Sequence, residues 1–303
     1  MDGLSFTRMH GCGNDFVVID DRAGQWHGRR AKLARALCDR RQGLGGDGLI
    51  LIDREQAVPS DVPGGLHPAA DIRMTYVNAD GMDGEMCGNG ARCAIRLASG
   101  LGMIGPRASM STPAGLIRAA IDGALITLEM TPPTDERPAQ RLEILGRSFD
   151  FHYVDTGVPH VVAFVDDLGT LDLARIGPLV RHHTIFQPRG VNANFAMRTG
   201  PNQFRLRTFE RGVEAETLAC GTGSVAVALI AHRQFGVAAP VTIVPSGSGL
   251  LHIGFDVAAD GGFRNVTLGG PAEIIGEGTV PETWLQARGL SGVDRAGAPQ
   301  RSD

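Results

Sequence analysis

No apolar run in these 303 residues approaches the roughly twenty that a membrane-spanning helix needs. The first residues lack the basic-then-apolar pattern of an export signal. Positive charge is not in excess either: a net charge of −4 argues against nucleic acid or an anionic membrane as partner. The five cysteines form no Cys-x-x-Cys pair and no Cys/His set with zinc spacing, so neither a dithiol redox motif nor a metal site is expected. An odd number of cysteines without a framework fits a reducing compartment. The expectation is a cytoplasmic globular protein. The glycine-rich turn at 43–48 lacks the Gly-Lys-Ser/Thr ending of a phosphate loop and leads into a strand, which excludes that reading.

What the chain has is glycine, 42 residues, about twice the usual share of roughly 7%. It also uses one stretch twice. Residues 76–94 run from Tyr76 through a Gly-containing turn to Cys87, and residues 209–227 run from Phe209 through a similar turn to Cys220. In both, the cysteine stands eleven residues after the aromatic, opens Cys-Gly-x-Gly and enters a run of small residues. The pattern predicts a helix beginning at each cysteine. The first amides of a helix have no internal partner and carry partial positive charge. A cysteine there is expected to have its pKa lowered below about 8.5, and the glycine amides can hold a carboxylate. The plain alternative is a cysteine acting as a small buried hydrophobe. The matched contexts favour a paired thiol site.

In chain order, 16–19 reads as a strand entered through a turn at 11–15. Asn14 in that turn is either a ligand contact or an ordinary turn asparagine. Cys12 beside it has no counterpart and reads as incidental. Residues 29–40 form an amphipathic pattern, with Cys38 facing the core and Arg40-Arg41 as a solvated helix end. Residues 56–70 are a Pro/Gly/Ala-rich excursion before a strand at 72–77. The first cysteine helix should end near Gly100, and strands follow at 117–121 and 124–130. Thr131-Pro132-Pro133-Thr134 breaks the chain.

The second half restarts similarly, with the turn at Gly157 feeding an apolar strand. A short helix is expected at 171–182, then strands at 204–209, 241–244, 250–255 and 266–268. Residues 224–231 in the second cysteine helix carry no charge, so that helix must be surrounded by protein. The fold expected is α+β: two pseudo-symmetric halves, each a curved, mostly antiparallel sheet wrapped around a central helix. Their bounds are 1–133 and 134–271, with a final strand at 272–285 and a frayed tail at 286–303.

Met9-His10-Gly11-Cys12-Gly13-Asn14-Asp15-Phe16, Asn78-Ala79-Asp80-Gly81, Glu85-Met86-Cys87-Gly88-Asn89-Gly90-Ala91-Arg92-Cys93, Asp155-Thr156-Gly157-Val158-Pro159-His160 and the stretch 210–223 closely resemble diaminopimelate epimerase. The resemblance runs in order from residue 6 to about 276. It implies a cofactor-free isomerase, independent of pyridoxal phosphate, that converts LL- to meso-diaminopimelate in lysine and peptidoglycan-precursor biosynthesis. Its partner is a small amino-acid substrate, its assembly a homodimer. The site would lie in the cleft between the halves, with the last strand packed back on the first half. By resemblance Cys87 and Cys220 are the two bases, and His160 and Glu210 tune them. Gly88, Asn89, Gly221 and Thr222 hold the α-carboxylate and Glu210 the α-ammonium. Asn14, Asn78, Asn192 and Arg211 take the far end of the substrate. From the residues alone, Asn192 and Asn194 read as turn asparagines, and Arg211 as a surface ion pair.

Two positions depart from the resemblance. Gly48 stands where glutamine is common, and Val158 where asparagine is common; both concern the far end of the substrate. Three other readings use the same residues. A related two-thiol racemase would not require a distal carboxylate, which Arg211 suits. A thiol redox protein would cycle the cysteines through a disulfide. A non-catalytic carboxylate-binding module would have no use for paired thiols.

Overall fold

The computed structural model describes residues 3–54, 70–84 and 86–291. The excursion at 56–69 and the tail beyond 291 lie outside the described residues. The chain opens with β1 (Leu4–Gly11) and β2 (Asn14–Asp20), an antiparallel pair whose turn puts Cys12 and Gly13 at positive φ. Then come α1 (Arg30–Leu37), β3 (Gly48–Asp53) and β4 (Ile72–Asn78), with β3 parallel to β2 and β4 antiparallel to β3. The first cysteine helix, α2 (Gly88–Gly100), leads to β5 (Arg107–Thr112), β6 (Gly115–Asp122) and β7 (Leu125–Glu129).

A hairpin of β8 (Thr134–Ile144) and β9 (Arg147–Asp155) begins the second half, followed by β10 (Pro159–Phe164) and α3 (Leu173–Arg181). Next are β11 (Asn192–Gly200), β12 (Gln203–Glu210), the short β13 (Ala215–Thr217) and the second cysteine helix, α4 (Gly221–Phe235). The strands β14 (Val241–Val244), β15 (Leu251–Val257), β16 (Phe263–Pro271) and β17 (Glu273–Val280) follow, and α5 (Glu282–Gln286) comes last.

The pairing repeats. β10 runs parallel to β11 as β2 does to β3, and β12 is antiparallel to β11 as β4 is to β3. β12 then pairs parallel with β14, as β4 does with β5. Even the outer strands correspond, because β17 pairs with β1 as β8 pairs with β9. The halves are stitched into one sheet where β7 lies antiparallel to β16.

Each half holds its cysteine helix inside its own curve. The side chains of α2 from Ala91 to Ala98 meet Met9, Phe16, Ile50, Met74 and Leu128 in one core. Those of α4 from Val225 to Ala231 meet Phe204, Ile243, Ile253 and Leu268 in another. Ser224–Ala231 is buried without exception, as its lack of charge requires. Outside the sheets, α1 and α3 cover smaller cores of their own.

The frayed tail is corrected for 286–291. Leu290 is fully buried with Leu33, Leu37, Val280 and Leu285, and Lys32 Nζ donates to the Gly289 carbonyl at 3.1 Å. A single leucine anchors a segment whose composition otherwise reads as loop. Leu290→Ala should therefore destabilise the protein by about 2–4 kcal/mol in urea unfolding, by loss of buried area and creation of a cavity. An unchanged midpoint would mean the segment does not pack.

Candidate active site

Cys87 and Cys220 stand at the same structural position. Each is the extended residue before its helix, at φ −131° and ψ 108° for Cys87 and φ −109° and ψ 110° for Cys220. Each sulfur accepts from the third amide beyond it: Gly90 N to Cys87 Sγ at 3.4 Å, Gly223 N to Cys220 Sγ at 3.3 Å. This is the geometry of a capping residue with sulfur in the place of the usual oxygen.

The helices meet end to end. A Cβ added to Gly88 would lie 3.8 Å from the Cα of Gly221, and one added to Gly221 would lie 3.7 Å from the Cα of Gly88. Either would also come within 2.9 Å of Leu268 Cδ2. The helix ends come to van der Waals distance of each other, and the tight contact at both glycines is with the end of the Leu268 side chain. Two helix N-termini, with their unpaired amides, thus converge between two cysteines.

The acidified thiols expected from the helix ends are not found. Burial pushes Cys87 up to about 11, with the charge of Glu210 adding to it; the amides of Gly90 and Asn89 and the guanidinium of Arg92 pull the other way. Cys220 is raised further by burial and by Glu210, against the Thr222 hydroxyl and the Gly223 amide, while the charge of Cys87 adds to the rise. Desolvation outweighs the helix end because a thiolate has little water here to replace what it loses. Glu210 itself is raised by burial, while its Oε2 accepts from Thr217 Oγ1 at 2.7 Å.

His160 is fully buried, which pulls it down to about 3 and keeps the ring neutral; the charge of Arg211 acts the same way. Its tautomer follows from its neighbours. Asn194 Nδ2 donates to the carbonyls of Val161 and Asn192 at 3.0 and 3.2 Å, and Thr208 Oγ1 donates to Asn194 Oδ1 at 2.9 Å. The amide is therefore fixed with nitrogen toward His160 Nδ1, 3.1 Å away, which must accept. The ring proton is left on Nε2, which donates to Thr222 Oγ1 at 2.9 Å. The Thr222 hydroxyl then has its own proton for Cys220 Sγ at 3.6 Å. Asn194 and Thr208 were not singled out as site residues from the sequence. Their signal is in the strands: alternate residues of β11 and β12 that face α4.

Asn14 ties the halves together. Its Oδ1 accepts from Asn89 Nδ2 at 3.0 Å and from the amide of Ala219 at 3.1 Å, while its Nδ2 donates to Asp47 at 3.0 Å. Asn89 is buried and also donates to the Ala219 carbonyl at 2.8 Å, so only its backbone amide faces a ligand position. Behind it lies the fully buried Arg92, which donates to Asn89 Oδ1 at 2.8 Å and to the carbonyls of Gly88 and Pro271. Cys12, read as incidental, is buried and accepts from Arg92 Nη2 at 3.5 Å. Arg40 is likewise more than a solvated helix end, since it pairs with Asp15 and with Asp47, the partner of Asn14.

The far-end residues divide. Asn192 is buried with its amide committed to the protein: it donates to the Pro159 carbonyl at 2.9 Å and accepts from the Arg211 amide at 2.8 Å. It orients Arg211, whose Nε is buried without an acceptor among the described residues. Asn78 holds Met82 and Tyr76. Val158 is half-buried in its turn, and Gly48 is buried. Among the described residues no group of His, Cys, Asp and Glu could hold a metal ion, and no helix is long and apolar enough to cross a membrane.

Residues 6–134 and 152–271 match the sequence family described as diaminopimelate epimerase. The diaminopimelate epimerase of Chlorobaculum tepidum is 40% identical over 276 residues, covering 90% of this chain and 99% of that protein. That of Aquifex aeolicus is 34% identical, covering 93% and 100%. Among solved structures, a phenazine biosynthesis protein of the PhzF family from Bacillus anthracis superposes with a TM-score of 0.70 at 15% identity, covering 93% of this chain and all of that one, which shows a common fold.

The thiols can be titrated directly. The difference in thiolate absorbance between wild type and a Cys87→Ala variant should show Cys87 ionising well above the ordinary value of about 8.5. Ionisation at or below the ordinary value would mean that the helix end outweighs burial.

Proposed function

The chain belongs to the diaminopimelate epimerase family, and on that premise we propose that Cys87 and Cys220 are the two bases of the reaction. The protein is an isomerase that epimerises diaminopimelate. The observation that carries the two-base reading is the convergence of two cysteine-capped helix N-termini at Gly88 and Gly221. Inversion at carbon needs a base on one face and an acid on the other, and one thiolate with one thiol provides both.

In this reading a thiolate removes the α-proton, the electron pair of the C–H bond moves toward the α-carboxylate, and the opposite thiol delivers its proton to the other face. The substrate leaves inverted, with the two sulfurs exchanged in protonation state. The amides after Gly88 and Gly221 stabilise the charge that develops on the carboxylate. Burial serves the step, because a desolvated thiolate is a stronger base and is better matched to a weakly acidic C–H. The Thr222 hydroxyl, oriented by His160, donates to Cys220 when that sulfur is charged. Glu210 accepts from the α-ammonium.

At the far end Arg211 binds the distal carboxylate, a role supported by its buried, unpartnered Nε. That atom favours diaminopimelate over the monocarboxylate substrate of a broader racemase. Asn14 and Asn192 act here mainly by positioning, Asn14 through Asn89 and Ala219, Asn192 through Arg211. The division of the chain at 133/134, the homodimer and the cytoplasmic location belong to the same proposal. The five free cysteines fit a reducing compartment.

The test is α-hydrogen exchange in heavy water under reducing conditions, with LL- and meso-diaminopimelate offered beside lysine and glutamate. Deuterium should enter diaminopimelate alone, and Cys87→Ala or Cys220→Ala should each lower epimerisation by about 10² to 10⁴-fold. Exchange on monocarboxylate amino acids would favour the racemase reading, and full activity in either variant would remove that cysteine from the chemistry. Thr222→Val keeps the backbone and removes the hydroxyl; kcat should fall about tenfold with little change in KM, the size of one hydrogen bond to a charged group. An unchanged kcat would leave His160 and Asn194 without a route to the thiol.

A further inference from the structure

In the core against which Cys87 packs, the end of the β3–β4 ladder presents a tyrosine that the sequence left unassigned. Tyr76 and Asn78 lie two apart on β4 and so project from the same side of the strand, with Ile50 and Gly48 opposite them on β3. The Tyr76 ring lies between two glycines. A Cβ on Gly48 would be 2.5 Å from its Cε2, and a Cβ on Gly84 would be 2.3 Å from its Cδ1. Neither glycine has positive φ, so both are there for space and not for backbone freedom. Phe16 meets the ring edge-on, with centroids 6.0 Å apart. No side chain of any size fits at 48 beside this ring, so the departure at Gly48 and the presence of Tyr76 are one feature.

The hydrogen bonds give the hydroxyl a direction. Asn78 Nδ2 donates to the Met82 carbonyl at 3.2 Å, which turns Oδ1 toward Tyr76. Tyr76 donates its only proton to that oxygen at 2.9 Å. Burial, followed by the charges of Cys87, Asp47 and Glu210, raises the phenol and keeps it neutral. The ring packs against the same core as Cys87, on the side of the sheet that holds α2. An oxygen with its proton committed can only accept, so its ligand must be a donor.

We propose that Tyr76 is a specificity-determining residue whose hydroxyl oxygen accepts a hydrogen bond from the ammonium group at the far end of the substrate. The inference rests on diaminopimelate as substrate and supplies what Arg211 does not: Arg211 suits the distal carboxylate, and Tyr76 with Asn78 recognises the distal amine.

Tyr76→Phe keeps the ring between the glycines and removes both the accepting oxygen and the proton that it donates to Asn78 Oδ1. Its KM for LL-diaminopimelate, read by deuterium incorporation, should rise about tenfold, as for one lost hydrogen bond to a charged group, with kcat essentially unchanged. The discriminating probe is 2-aminopimelate, which keeps both carboxylates and lacks the distal amine. Its Ki as a competitive inhibitor should be the same for wild type and Tyr76→Phe. Weakening of both ligands alike would overturn the proposal, as would an unchanged KM for diaminopimelate; so would a Tyr76→Phe change that adds nothing in an Asn78→Ala background, which would assign the hydroxyl to holding Asn78. A wild-type enzyme active on lysine and inert toward diaminopimelate would instead overturn the substrate reading, and this proposal with it.

Discussion

Two helices pointing their N-termini at each other within van der Waals distance is an unfavourable arrangement, and the rest of the molecule is built to impose it. Each end carries roughly half a unit of positive charge, and like ends repel. The opposing force is the packing of α2 and α4 inside separate curved sheets, joined by the β7–β16 ladder. Leu268, on β16, touches both glycine positions and marks where that ladder passes beneath the meeting point. In the proposed reaction a carboxylate between the ends would relieve the repulsion, so that the fold itself would contribute to its binding. A side chain at 88 or 221 would meet Leu268 Cδ2 first.

The same enclosure explains why the thiols are not acidic. A helix end on a protein surface lowers a cysteine pKa because water remains to share the work; inside a closed core the loss of water is larger than the gain from a few amides. For a reaction that removes a proton from carbon, this direction is the useful one. Preorganised amides aimed at the carboxylate lower the barrier from the substrate side, while desolvation raises the strength of the base from the other. The charge of Cys87 adds the smallest of the contributions to the rise of Cys220.

The duplicated cysteine stretch made the two-half architecture legible, because a repeated spacing implies a repeated supersecondary unit. The uncharged run from Ser224 to Ala231 did the same for the enclosed helix. The hairpin β8–β9 stayed hidden: nearly all of β8 is exposed, so it lacks the apolar alternation that marks a strand, and it falls largely in the segment that the family match skips. Leu290 was missed for the opposite reason, since one buried residue makes no pattern. Asn194, Thr208 and Tyr76 were illegible because their roles depend on which way an amide or hydroxyl is turned by neighbours from another strand. Asn192 was assigned to substrate from resemblance, yet both ends of its amide are taken by backbone groups, which only the fold brings within reach.

The symmetry of the fold does not extend to what stands behind each sulfur. Thr222 follows Cys220 at the position where Asn89 follows Cys87, and the two side chains do different things. Thr222 couples its sulfur to a neutral histidine whose tautomer is set by Asn194, a chain that can offer one proton as a hydrogen bond but holds no charge. Asn89 turns away from its sulfur to brace Asn14 and the chain at Ala219, with the buried guanidinium of Arg92 behind it. Cys87 thus feels a permanent cation and Cys220 a polarised hydroxyl. A pseudo-symmetric scaffold can present mirror faces to a carbon atom, but removing a proton from one hand and returning it to the other requires the two sulfurs to differ in protonation at any instant. In the proposed reaction that difference passes from one sulfur to the other at each turnover, and the unequal supports behind Cys87 and Cys220 make its two directions unequal in energy within one aligned frame.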